Sequence, residues 1–296
     1  MADTTITIYI CIVAAVIGTV FGSFINCCAW RIVRGENFIS GKSHCAVCGH
    51  PLGFFDLIPV LSWLFLRGKC RYCGEKISPR YMLTELLMGA VGAILVLRFG
   101  LSTVAVRYFG LCVILLGLSL TDLDSRKIPD GFIIAGIIWW LVTIPVTAGP
   151  SGFPVFGIRG LTEGLSAAAS GTESAVSEAG IGSLTHAGSM LQELKYGLLG
   201  GVGIGGGMLA VSLLFDFVMK KESLGGGDIK LFFMTGLYLG LGIGLFNLLL
   251  SCLVGLIMSA VWKKRKIPFG PAISLASFIS ILFGPTVIHW YVSLLL

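Results

Sequence analysis

Two aspartates and four cysteines carry the chemistry of this chain. The segment Gly225-Gly226-Gly227-Asp228-Ile229-Lys230 sets a carboxylate on a glycine turn at the edge of an apolar stretch, and Asp122 closes a second apolar stretch running from Val113 to Thr121. An ionisable side chain at the edge of a membrane span is costly to place and marks a functional site by default. If the two carboxylates meet, they form an acid/base pair able to act on a peptide bond. Two such groups a few ångströms apart cannot easily both ionise, so they share a proton. One then activates water while the other protonates the carbonyl or the leaving amine. Each aspartate also has a plainer reading, as a solvated or helix-capping carboxylate. Three consecutive glycines before Asp228 exceed what a cap requires: without Cβ atoms they let a peptide backbone or a neighbouring helix come close. No Ser/His/Asp arrangement competes, since the histidines are His44, His50, His186 and His289.

Cys45-Ala46-Val47-Cys48 and Cys70-Arg71-Tyr72-Cys73 form two CxxC knuckles, each followed directly by a glycine, Gly49 or Gly74, suited to a tight turn around a metal. Four thiolates at this spacing give a tetrahedral site for which zinc is the best match, with iron or a redox dithiol pair as the alternative. Four protein ligands leave no open coordination position, so this zinc is structural, a staple for a small domain with little core. Cys11, Cys27, Cys28, Cys112 and Cys252 fall in apolar stretches and read as small buried hydrophobes.

The elements that must position these groups are membrane helices. Of the 296 residues, 55% are hydrophobic and only 12% charged, about half the charge of a soluble domain. The fold class is an all-α polytopic membrane protein with about eight transmembrane helices and a small cytoplasmic zinc-stapled domain. The spans read as 7–30, 83–99, 103–121, 131–148, 196–218, 229–242, 243–261 and 271–293, with the sixth and seventh dividing near Gly240 to Gly244. The corresponding segments are a first transmembrane helix (1–30), a tetracysteine domain (31–82), helices 2–4 with Asp122 (83–148), a flexible extracytoplasmic loop (149–195) and helices 5–8 with the GGGD motif (196–296). That loop is rich in Gly, Ser, Ala and Thr and poor in aromatics, a composition unable to bury much apolar surface, with room for a short helix at most. The first span lacks a basic lead-in and is followed by Arg31 and Arg34, so it does not read as a cleaved signal peptide.

Placing the N-terminus outside puts all of the 21 Lys and Arg residues except Arg98, Arg107, Arg159 and Lys195 on the cytoplasmic side. The net charge of +6 is therefore a topology signal, and its scatter over several short loops argues against nucleic-acid binding. The same topology puts Asp122, Asp228 and the four cysteines on one side of the membrane. The glycines of 201–207 lie in an apolar span with no strand before them, so they read as close helix packing and not as a dinucleotide fingerprint.

In order along the chain stand Gly22-Ser23-Phe24-Ile25-Asn26-Cys27-Cys28-Ala29-Trp30-Arg31, the two knuckles, and between them Pro59-Val60-Leu61-Ser62-Trp63-Leu64 and Arg67-Gly68-Lys69. Ile77-Ser78-Pro79-Arg80-Tyr81 and Glu85 follow, then Asp122 with Ile128-Pro129-Asp130, Gly225 to Lys230, and Ile267-Pro268-Phe269-Gly270-Pro271. With these motifs the chain resembles the type IV prepilin peptidases, GxGD aspartic proteases of pilus and type II secretion systems. The resemblance implies a multi-pass enzyme of the bacterial inner membrane with its active site facing the cytoplasm. It implies that Asp122 and Asp228 are the catalytic pair, with Gly225, Gly226, Gly227 and Lys230 in support. It implies cleavage of the basic leader of prepilins or pseudopilins after a glycine, and N-methylation of the new N-terminal residue with S-adenosylmethionine as methyl donor. On that pattern Cys45, Cys48, Cys70 and Cys73 support a domain associated with methyl transfer. The segment 149–195 is longer than the family pattern at that connection.

A basic leader would be matched by acidic groups near the site, for which Asp56, Asp124, Asp130 and Glu85 are candidates, each with a structural role as the alternative. Two other function classes were weighed. A proton-coupled transporter would need midplane carboxylates and internal repeats, whereas these aspartates sit at span ends. A non-catalytic scaffold of a secretion machine would have no need of either aspartate.

Overall fold

The computed structural model describes residues 2–37, 41, 43–147, 181–220, 225–262 and 268–295. They fall into two compact units, Met1–Arg98 and Phe99–Leu296.

In the first unit a long helix α1 (Ala2–Arg34) precedes a polar segment, and α3 (Pro79–Phe99) follows it; the polar segment holds a single 3-10 turn (Phe54–Asp56) and the short α2 (Leu61–Phe65). α1 is an unbroken apolar run with no proline and ends on Arg31 and Arg34, which complement the negative end of a helix dipole. Pro79 opens α3, the position where its missing N–H costs nothing. α1 and α3 touch through small residues: a Cβ on Gly18 would lie 2.3 Å from the Met88 carbonyl oxygen. Such backbone approach replaces the hydrophobic effect as the glue between helices in lipid. Asn26 adds a polar clasp by donating to Thr84 Oγ1.

The second unit contains α4 (Thr103–Ser125), α5 (Asp130–Thr147), α6 (Ile181–Met219), α7 (Gly226–Trp262) and α8 (Gly270–Leu295). Ser102 caps α4 by accepting from the Ala105 N–H, and Arg126 ends it in the left-handed conformation, its N–H returning to the Asp122 carbonyl. α7 is not one straight rod. Gly240 has φ 69° and ψ −179°, a conformation open to glycine alone at low cost. The ring of Phe269 lies 6.3 Å from that of Phe232 and would be 2.5 Å from a Cβ on Gly255. In a straight helix residues 232 and 255 would be about 35 Å apart. The chain therefore doubles back at Gly240, and 226–239 and 241–262 form a helical hairpin.

Seven helices among the described residues are long and apolar enough to cross a membrane. Counting α7 as its two arms gives the eight apolar segments read from the sequence, with the division at Gly240. Gly200 and Gly201 of α6 pack against the first arm of α7, where a Cβ on Gly236 would lie 2.7 Å from the Gly200 carbonyl oxygen. Buried polar groups bind the second arm to α8, Ser277 Oγ donating to Asn247 Oδ1 at 3.3 Å.

One helix boundary differs from the sequence reading. The helix expected at 196–218 starts at Ile181, so the last part of the expected loop 149–195 is helical. Within that added stretch Glu193 Oε2 accepts from Arg107 on α4 at 3.0 Å, and Thr147 at the end of α5 donates to the same oxygen. Residues 148–180, which hold the rest of that expected loop, lie outside the described residues. The first helix, the cysteine segment and α3 fall in one compact unit.

Candidate active site and metal centre

Asp122 occupies the last turn of α4 and is almost fully buried, 5% exposed. Its Oδ2 accepts a hydrogen bond from the Gly270 N–H at 2.8 Å. Gly270 is the first residue of α8, so the carboxylate faces a helix N-terminus, where unpaired N–H groups and the helix dipole favour a negative charge. A Cβ at position 270 would be 2.7 Å from Asp122 Oδ2, so any larger residue there would push on the carboxylate. One turn along, Ser119 Oγ donates to Ser274 Oγ at 2.8 Å, and Ser274 donates to the Gly270 carbonyl, fixing the register of α4 against α8.

Asp228 stands in the first turn of α7, half-buried, with its N–H on the Gly225 carbonyl at 3.0 Å. The three glycines do different things. A Cβ on Gly227 would press on Ile128 at 3.0 Å, so that glycine lets α7 approach the α4–α5 turn. A Cβ on Gly225 would lie 3.3 Å from Asp228 Oδ2, whereas Gly226 faces open space. Phe269, adjacent to Gly270, meets Phe232 one turn beyond Asp228. The α4 C-terminus, the α7 N-terminus and the α8 N-terminus thus share one end of the unit, which carries both Asp122 and Asp228.

Lys230 donates to Asp130 Oδ1 at 2.7 Å, tying the first turn of α7 to the first residue of α5. Both side chains are more than half exposed, so the pair is worth at most about 1 kcal/mol. Three acids considered for a basic leader have hydrogen-bond partners in the structure, Asp130 with Lys230 among them. Besides Asp130, Glu85 Oε2 is buried and accepts from the Val60 N–H at 2.7 Å. Asp56 accepts from Arg71 Nε at 2.6 Å, from the Gly53 N–H and from Tyr72 Oη, both at 3.1 Å. Burial works to raise the Asp56 carboxyl, but these three donors outweigh it and hold the group below the usual carboxylate range.

The first unit brings Cys45, Cys48, Cys70 and Cys73 together, with all four Sγ atoms within 4.8 Å of one another. Cys45 and Cys73 Sγ are 3.9 Å apart, against about 3.8 Å for sulfurs around a tetrahedral zinc with Zn–S near 2.3 Å. The two knuckles repeat one turn. The Gly49 N–H returns to the Cys45 carbonyl at 2.9 Å and the Gly74 N–H to that of Cys70 at 3.0 Å, with φ 69° and 73° at the glycines. Backbone N–H groups of Cys48 and Val47 draw the Cys45 thiol down to about 6. The Glu75 N–H acts the same way on Cys73, but burial and the three neighbouring sulfurs prevail and push it up to about 12. Four sulfurs competing for charge in one small volume are suited to a divalent cation. His50 is not needed as a ligand: its ring stacks on Tyr72 at 3.6 Å and joins one knuckle to the other.

The glycines of α6 make no cofactor cradle on the side they pack. Backbone and side chains of α7 fill the space beside Gly200, Gly201, Gly203 and Gly205. Gly270 is the site residue whose role the sequence reading left unstated. Its signal was present, a glycine between Pro268 and Pro271 ahead of an apolar run, but nothing local ties it to Asp122.

A multi-pass helical unit with two carboxylates at one end, and a four-cysteine cluster able to hold a metal in the first unit, agree with comparisons to known proteins. Residues 16–99 match the bacterial peptidase A24 N-terminal domain, and residues 109–260 match the type IV leader peptidase family. The chain belongs to the type IV leader peptidase family, and is thus a membrane peptidase by descent. A relative from Aeromonas hydrophila is 30% identical over 87% of this chain and 77% of its own length. Relatives from Bacillus subtilis (strain 168), covering 95% and 97%, and Stutzerimonas stutzeri, covering 86% and 76%, are each 27% identical. All three bear the name prepilin leader peptidase/N-methyltransferase. No solved structure matches the chain.

Proposed function

We propose that this protein is a bifunctional prepilin peptidase of the inner membrane. It removes the basic leader of type IV prepilins or type II secretion pseudopilins after a glycine at the cytoplasmic face, then methylates the exposed N-terminal residue. The observation that carries the cleavage reading is the shared location of Asp122 and Asp228 at one end of the second unit. Asp122 is oriented by the Gly270 amide through Oδ2, which leaves Oδ1 for proton exchange. Asp228, the more exposed of the two, meets the substrate side. With one proton between them, one carboxylate takes a proton from the attacking water and the other gives its proton to the leaving amine. Gly225 keeps the space beside Asp228 Oδ2 free of a side chain, Gly227 admits Ile128 of the α4–α5 turn, and Lys230 braces α7 against Asp130.

Zinc at Cys45, Cys48, Cys70 and Cys73 would be closed to substrate and hold the polar domain together. S-adenosylmethionine would supply the methyl group. Support for that second activity is the family's paired domain plan and the names of the relatives.

The test is to incubate the purified full-length protein in lipid with a prepilin-type substrate and S-adenosylmethionine, and to follow the substrate by intact mass spectrometry. The expected product lacks its leader and carries one added methyl group at its new N-terminus. Leader removal with no methyl added would retain the peptidase and sink the transferase half. No leader removal from any prepilin or pseudopilin would sink the whole reading.

A further inference from the structure

The polar segment between α1 and α3 carries an apolar face with no partner in its own unit. Leu61, Leu64 and Phe65 occupy one side of α2 at helical spacing and are 49, 59 and 79% exposed. The 3-10 turn packed beside α2 presents Phe54 and Phe55, each more than 70% exposed, and Leu57 follows them. The opposite side of α2 is anchored: Trp63 Nε1 donates to the Ile77 carbonyl at 3.2 Å, and the Val60 N–H is held by Glu85.

That second anchor sets the depth of α2. Glu85 lies in the second turn of α3, about 9 Å along a helix that is itself long and apolar enough to cross a membrane. The neighbouring Leu83, Leu86 and Leu87 of α3 are also exposed, as expected of lipid-facing residues at that level. Both ends of the polar segment leave such helices, and Trp30 near the end of α1 lies under the Arg34 guanidinium at 3.8 Å, an aromatic and a basic group of the kind found at headgroup depth. Arg67 and Lys69, which follow Phe65 closely along the chain, are exposed. Apolar side chains followed by basic ones, held at the level of a membrane helix's second turn, match the boundary between acyl chains and anionic headgroups.

We propose that the Phe54–Phe65 face is an interfacial membrane anchor. It seats the metal-binding domain on the bilayer surface, with Leu61, Leu64 and Phe65 immersed among lipid chains. The domain is thereby fixed against the membrane and does not swing on its two connections.

The test places the photoreactive aromatic p-benzoyl-phenylalanine at Phe54, Phe55, Leu64 or Phe65 in the full-length protein, in nanodiscs of phosphatidylethanolamine and phosphatidylglycerol. The labels sit at exposed positions, three of them in place of phenylalanine, and bound metal per chain checks that the fold is kept. The same label at Lys76 and at Leu87 gives the aqueous and lipid references. After irradiation, lipid adducts at positions 54, 64 and 65 are expected several-fold above those at 76 and close to those at 87. Yields no higher than at position 76 would overturn the anchor. So would adducts formed chiefly with protein, which would mean that this face docks on a polypeptide instead.

Discussion

Asp122 is held by the Gly270 amide, at a position where a side chain would crowd the carboxylate. A methyl group at position 270 would lie 2.7 Å from the carboxylate oxygen, so Gly270→Ala must either displace α8 or turn the Asp122 side chain. Overpacking of this kind costs about 1–3 kcal/mol. If it falls on the orientation of the carboxylate, kcat drops by about ten- to hundred-fold with KM little changed, while thermal stability moves by only a few degrees. Steady-state kinetics beside a melting curve separates loss of orientation from loss of fold. At this scale much was legible in the sequence: the cost of a carboxylate at a span edge singled out both aspartates, and the CxxC spacing singled out the four cysteines. Gly270 was not legible as a partner of Asp122, because it lies 148 positions away and its backbone does the work. For Glu85, Asp56 and Asp130 the sequence left a leader-binding and a structural role side by side, because local sequence does not show a carboxylate's hydrogen-bond donors.

Among the elements, helices and their order followed from hydrophobic run length, and the break between the sixth and seventh spans fell within the glycine cluster expected to hold it. Helix ends were less legible: α6 extends N-terminal to the expected span and takes part there in the Arg107–Glu193–Thr147 contact, which joins residues from three helices. The contact between α6 and the first arm of α7 rests on glycines, and they are not equivalent. A Cβ on Gly236 would be 2.7 Å from the Gly200 carbonyl oxygen, whereas one on Gly207 would meet nothing within 4 Å. Gly236→Val is therefore expected to destabilise the protein in detergent by at least about 1–3 kcal/mol, and Gly207→Val to leave it near wild type. Denaturant melts of the two variants side by side check this. Equal effects would mean that the glycine stripe is not the contact between these helices.

As a whole molecule the chain divides its candidate chemistry between two units, the four clustered cysteines in Met1–Arg98 and both aspartates in Phe99–Leu296, a division that the two family matches repeat. Removing the metal with a chelator, or replacing Cys48 and Cys73 with serine, is accordingly expected to loosen the first unit and reduce methylation far more than cleavage. The ratio of methylated to merely cleaved product reads this directly, and a parallel fall of both activities would show that the division is not functional. The central claim is that Asp122 and Asp228 act together on the scissile peptide. Its most direct test is the initial rate of leader removal by the Asp122→Asn and Asp228→Asn proteins and by the double variant, each confirmed to be folded and membrane-inserted. Each single substitution is predicted to abolish cleavage to the same residual level, the double variant losing no more than either alone, as for residues that act as a unit. Cleavage near the wild-type rate by either single variant would contradict the account.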